Sequence, residues 1–199
     1  MYRNLSRRSF AALTASAMAV TALPFGAAAL TVDEARDLVS KLIGEINGVI
    51  NSGRSEAAMI DNFETIFSLY ADVDYIALSA LGPAGRQAND GQKKAFRAAF
   101  QKYLARKYGK RFREFIGGTI EVKDARPLKS FFEVVSIATL KGQRPFEVRW
   151  HVFAKSGKNR FFNIIIEGVN MLAAERSEIG ALLDANKGDI GKLTAAMKG

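Results

Sequence analysis

Residues 146–169 read FEVRWHVFAKSGKNRFFNIIIEGV, and the fold class follows from how they alternate. Phe146, Val148, Trp150, Val152 and Ala154 fall on one face, with Glu147, Arg149, His151 and Lys155 on the other. That period of two is what a half-buried strand requires. Ser156-Gly157-Lys158-Asn159 supplies a turn, and residues 160–169 resume with Ile164, Ile165 and Ile166 in succession. Three consecutive β-branched residues fit a strand covered on both faces. Working outward, Lys141-Gly142-Gln143-Arg144-Pro145 reads as a hairpin loop behind a strand at 131–140, and 119–125 as a short strand before it. Strands joined by turns this short pair antiparallel. Residues 119–169 therefore predict a meander of about four strands.

On either side the period changes to that of helices. Thr31-Val32-Asp33-Glu34 has the capping-box pattern, followed by Ala35, Leu38, Val39, Leu42, Ile43, Ile46, Val49 and Ile50 at helical spacing. Asn51-Ser52-Gly53 stops that helix. Ser55 caps the next, whose stripe is Met59, Ile60, Phe63, Ile66, Phe67 and Tyr70. A short helix over 73–81 ends at Gly82-Pro83. Asp90 is expected to cap a long helix to Tyr108, with Phe96, Ala99, Phe100, Tyr103 and Leu104 inward and Lys93, Lys94, Arg97, Lys102 and Arg106 outward. After the strands, helices are expected over 173–185 and 190–197. Helices, meander, helices is an α+β order, with the helices packed on one face of a curved antiparallel sheet.

The N-terminus reads as an address. Ser6-Arg7-Arg8-Ser9-Phe10 precedes an uncharged, alanine-rich stretch broken at Pro24 and Gly26 and ending Ala27-Ala28-Ala29. This resembles a cleavable twin-arginine export signal. Residues 1–29 are read as the signal and 30–199 as one domain. The chain's formal charge is +9, and its first 29 residues hold three arginines and no carboxylate, so the remainder carries +6. The sequence has no cysteine and one histidine, which excludes disulfides, thiolate metal sites, a thiol nucleophile and multi-histidine metal clusters.

Few residues suggest chemistry. His151 lies on the polar face of its strand, where a carboxylate such as Glu147 or Glu167 across the sheet would make it a base; otherwise it is solvated. Asp74 and Glu167 have the most apolar sequence neighbours among the carboxylates, and burial would raise their pKa values. The structural alternative is a capping or backbone-bonding role. Gly82-x-x-Gly85 and Gly117-Gly118 lack the Lys-Ser/Thr of a phosphate loop. The basic helix at 93–113 keeps its aromatics on the buried side, unlike a stacking platform for nucleic acid. Membrane headgroups or an acidic partner suit it better, against a merely solvated face.

Several phrases resemble the MlaC family, periplasmic phospholipid-carrying components of the Mla system, also known as toluene-tolerance auxiliary proteins. They are Val73-Asp74-Tyr75, Leu81-Gly82, the helix QKKAFRAAFQKYLARKY at 92–108, Phe115-Ile116-Gly117-Gly118 with Ile120 and Val122, and Ile165-Ile166-Glu167-Gly168-Val169, followed by Arg176 and Gly188-Asp189-Ile190. Asn163, Asn170 and Asn159 stand where the family usually has Asp, Ser and Trp. The resemblance implies an α+β protein enclosing an apolar cavity for phospholipid acyl chains. It also implies a shuttle between an inner-membrane Mla ABC transporter complex and an outer-membrane lipoprotein–porin complex, with transient membrane contact. No nucleic acid, cofactor, metal or catalytic residue is implied. The expected cavity lining is Tyr70, Tyr75, Phe96, Phe100, Tyr103 and Tyr108 from the helices. From the sheet it is Val134, Ile137, Val148, Trp150, Val152, Phe162, Ile164, Ile166 and Val169. The rival readings are an NTF2-like α+β enzyme using Asp74 or Glu167 as acid or base on a small apolar substrate, and an interaction module with a filled core.

Overall fold

Thr31 opens the helical layer as its capping box requires: Glu34 donates its N–H to Thr31 Oγ1 at 3.2 Å, and Thr31 N–H returns a bond to Glu34 Oε2 at 2.8 Å. The structure is a computed structural model describing residues 30–109 and 114–198, so the expected export signal lies outside the described residues. Helix α1 covers Val32–Ile50, α2 Glu56–Tyr70 behind a Ser55 cap, and α3 Val73–Leu81 behind Asp72. A short α4, Pro83–Gln87, was not expected. It forms because Gly82, at φ 60°, turns the chain and Pro83 is preorganised for a first helical position. Helix α5 spans Asp90–Gly109. Its cap is Asn89, one residue before the expected Asp90: Asn89 and Gln92 exchange side-chain-to-backbone bonds at 2.9 and 3.0 Å.

Strands β1 (Thr119–Leu128), β2 (Phe131–Thr139), β3 (Phe146–Phe153), β4 (Arg160–Ile166) and β5 (Val169–Asn170) form one antiparallel sheet in sequence order. The expected continuous strand over 160–169 is split. Glu167 and Gly168 both adopt positive φ, 48° and 82°, which makes a tight hairpin and yields the two-residue β5. Asn170 then caps α6, Met171–Ala185, two residues before the expected start, and α7 is Ile190–Ala196.

Helix α1 lies across β1, β2 and β3, while α3 and α6 cover β4. Helices α2, α5 and α7 pack behind them, and α5 approaches α2 closely at Gly109, where a Cβ would come within 2.7 Å of Ile60. The free edge of β4 is protected at one end by Asp72 N–H donating to Phe161 O at 2.8 Å, and at the other by β5. Covering the edge removes a template for intermolecular strand pairing.

Candidate functional site

The inner face of the sheet follows from register. Val134 pairs with Trp150 and Trp150 with Ile164; Ser136 pairs with Val148 and Val148 with Ile166. These rows share one side with Ala138 and Val152, and their apolar members belong to one apolar cluster with α1, α2, α3, α5 and α6. Phe96, Phe100, Val134 and Val152 are fully buried there. Phe96 and Phe100 stack on each other with centroids 5.4 Å apart, and Trp150 meets Phe161 edge-on at 5.7 Å. Polar atoms on this face are satisfied. Trp150 Nε1–H donates to Ser136 Oγ at 2.9 Å, and the Ser136 hydroxyl donates to Val148 O at 3.1 Å. What remains is hydrocarbon and ring surface.

The expected lining residues divide. Val134, Val148, Trp150 and Val152 are buried on the inner face of the sheet, Ile164 and Ile166 are half-buried on the same side, and Phe96 and Phe100 are buried on α5, which packs against α2, α3 and α7, within the same apolar cluster. Ile137 is of opposite parity to Val134 and faces away from the helices, opposite Glu147. Phe162 also faces away: Val152 pairs with Phe161 and His151 with Asn163, so Phe162 is the extra residue of a bulge. Phe161 takes the inner position that strict alternation assigns to Phe162. Tyr75 points outward and packs edge-on against Phe153 and Phe162, and Val169 is 55% exposed on β5. The inner-face rings and aliphatic side chains belong to one apolar cluster. Two open clefts, about 440 and 320 Å³, lie on the helical side, between α5 and α7 and between α3 and α5.

The other tyrosines act as ties. The Tyr70 hydroxyl donates to Glu45 at 2.6 Å; that bond and burial push its pKa up to about 12. Tyr103 donates to Glu178 and Tyr108 to Glu175, with Lys107 Nζ 2.7 Å from Glu175 and 2.5 Å from Glu178. Burial foremost, then these carboxylates, push Tyr103 up to about 12 and Tyr108 higher still. Burial pulls Lys107 down, but its two carboxylate bonds outweigh it and the net direction is up; Glu178 is held low by Lys107 and Tyr103. This cluster joins α5 to α6.

The acid–base candidates do not hold their expected settings. The Asp74 side chain is 68% exposed and clamped by Arg97. Glu167 is an exposed turn residue. Helical periodicity turns Asp74 outward, and the hairpin lifts Glu167 off the sheet, so the enzyme reading loses its two residues. His151, expected among solvated charges, is instead buried beside Phe131 and Phe162. Its Nε2–H donates to Glu133, directly opposite on β2, at 3.4 Å, and its Nδ1 accepts from the Asn163 amide at 3.3 Å. Burial lowers its pKa despite Glu133. Glu133 also holds Arg126 at 3.0 Å, and Asn163 Oδ1 accepts the Leu172 N–H at 3.1 Å. A polar chain thus crosses from β1 through β2, β3 and β4 to α6. Sequence reasoning missed Glu133 and Glu175 as buried carboxylates; the available signal was Glu133 inside an apolar run at 131–138. Among the described residues no group of His, Asp or Glu is arranged to hold a metal ion.

A meander backed by helices, its apolar inner face carrying a Trp150–Ser136–Val148 carbonyl set whose members satisfy one another, defines the class of α+β proteins with a helix-covered hydrophobic sheet face. The MlaC protein family model matches residues 38–199, and the chain belongs to that family. Its structure is similar to that of a phospholipid-binding protein from Ralstonia solanacearum, determined at 1.53 Å in complex with a phospholipid. The TM-score is 0.70 at 17% identity, covering 82% of this chain and 94% of that one.

Proposed function

We propose that this protein is a periplasmic phospholipid carrier that holds acyl chains between its helices and the inner face of its sheet. The observation that carries the reading is the continuous apolar interior of a MlaC-family chain, with Trp150, Ser136 and the Val148 carbonyl satisfying one another. The phospholipid held by the Ralstonia solanacearum protein supports it. A diacyl lipid has on the order of 30 methylenes at ~0.8 kcal/mol each, so its passage through water opposes transfer by roughly 24 kcal/mol. A carrier has only to match the bilayer. Acyl chains do so by replacing the side-chain contacts of Phe96, Phe100 and Trp150 with contacts of equal apolarity, as the helices part from the half-buried Ile164 and Ile166. Net transfer is near neutral, so direction comes from the partners: the inner-membrane Mla ABC transporter complex and the outer-membrane lipoprotein–porin complex. Export by the twin-arginine route completes the reading, with residues 1–29 removed and 30–199 as the working domain.

Mass spectrometry of an organic extract of the purified protein tests this. Phospholipid at about one molecule per chain is expected. Protein that is empty however gently it is purified, and stays empty after incubation with vesicles, would refute the carrier.

A further inference from the structure

Helix α3 presents two large apolar side chains to solvent one turn apart, Tyr75 at 36% and Leu78 at 40% exposure. Single exposed apolar residues are ordinary, but this pair sits among cations. Leu78 and Ala77 form the apolar wall of the 320 Å³ cleft between α3 and α5; Asp74, Asp90, Lys93, Lys94 and Arg97 complete it. Lys155 Nζ lies over the Tyr75 ring, 5.8 Å from its centre. The four cations Lys93, Lys94, Arg97 and Lys155 thus outnumber the two carboxylates. Asp74 binds Arg97 through both oxygens at 2.9 and 3.0 Å, and Asp90 lies 3.8 Å from Lys93. Lys94 and Lys155 are exposed.

We propose that this α3–α5 face docks the protein on the anionic surface of a phospholipid bilayer, Leu78 and Tyr75 entering the headgroup layer while Lys93, Lys94, Arg97 and Lys155 meet lipid phosphates. The proposal rests on the carrier reading and adds where the carrier meets the membrane. Charge complementarity selects the occupant together with the apolar pair. A bilayer surface offers phosphates and, immediately below them, a layer that accepts a leucine and the amphipathic ring of a tyrosine. Nucleic acid offers the phosphates but no apolar layer for an aliphatic side chain. Asp74 sets the strength of the contact by occupying Arg97.

Co-sedimentation of the purified protein with phosphatidylcholine vesicles, with and without one third phosphatidylglycerol, tests the proposal. Binding is expected only to the phosphatidylglycerol vesicles and weakens with salt. Lys94→Gln and Lys155→Gln each lower partitioning about fivefold, and Leu78→Ser lowers it at low and high salt alike. Asp74→Asn, by releasing Arg97, raises it about fivefold on the phosphatidylglycerol vesicles alone. Lys192→Gln on α7 leaves it unchanged. Equal binding to both vesicles, unchanged partitioning of Lys94→Gln and Lys155→Gln, or no vesicle binding by a protein retained on immobilised polyglutamate would overturn the proposal. The same preparations are assayed for co-purified phospholipid. Lipid-loaded protein that ignores vesicles overturns docking alone, and empty protein that docks overturns the carrier alone.

Discussion

Replacing Ser136 by alanine tests whether the inner face is dry. Ser136 is fully buried and is the acceptor for the indole N–H of Trp150, itself 4% exposed. Without the hydroxyl the N–H has no acceptor and no water, which costs about 1–3 kcal/mol. At ~2–4 °C per kcal/mol for a domain of this size, the melting temperature falls by roughly 2–12 °C. The diagnostic quantity is the coupling. In a Trp150→Phe background the donor is absent, so Ser136→Ala loses only the bond to Val148 O, ~0.5–1.5 kcal/mol net. The bond to Val148 O cancels in the double-mutant cycle, which is therefore expected to return a coupling of about 1–3 kcal/mol. Urea unfolding followed by far-UV circular dichroism is the assay, because Trp150 is the sole tryptophan and its removal abolishes the fluorescence probe. A coupling within the ~0.5 kcal/mol scatter of additive sites would mean that water or another acceptor reaches the indole. An interior that admits water so readily would not hold acyl chains as argued.

Ile166→Glu, which places a carboxylate on the inner face beside Val148, is expected to abolish phospholipid loading in native mass spectrometry, whereas Asp74→Asn leaves loading intact; the reverse pattern would restore the acid–base reading of Asp74. His151 has a lowered pKa in the fold, so its contribution is present above the unfolded value near 6.5 and is lost as pH falls through the folded value. Melting temperature measured from pH 8 to 5 should accordingly drop below pH 6.5, and His151→Gln should flatten that limb; a parallel curve for the variant would show that another group titrates. Lys107→Met removes the cation from the buried Glu175 carboxylate, which keeps only the Tyr108 hydroxyl, and should destabilise by about 1–3 kcal/mol, with Glu175→Gln added on top recovering much of the loss. Additive losses in urea unfolding would show that the pair is not coupled.

Much of the architecture was legible because it rests on local rules. The Thr31 and Ser55 caps, the stripes of α1 and α2 and the Gly82-Pro83 break are each properties of a few adjacent residues, and the structure keeps them. Legibility ended where phase or a distant partner intervened. The bulge in β4 exchanges the roles of Phe161 and Phe162, and nothing in Arg160-Phe161-Phe162-Asn163 announces it. Tyr103 and Tyr108 follow an inward stripe in α5, yet their hydroxyls are spoken for by Glu178 and Glu175, some seventy positions later in the chain. His151 looked solvated because its own strand neighbours are charged, while Phe131 and Phe162, which cover it, come from β2 and β4.

By itself the sequence determined an α+β chain with an antiparallel meander, a large apolar complement, and no thiol or histidine cluster for catalysis. Periodicity and composition are local or additive, so one chain suffices to read them. Only tertiary structure decided which side chains share the inner face, that Asp74 belongs to a surface clamp with Arg97, and that Leu78 and Tyr75 stand among lysines from α5 and the β3–β4 turn. Those facts depend on strand register and helix placement, which are settled by packing between segments far apart in sequence.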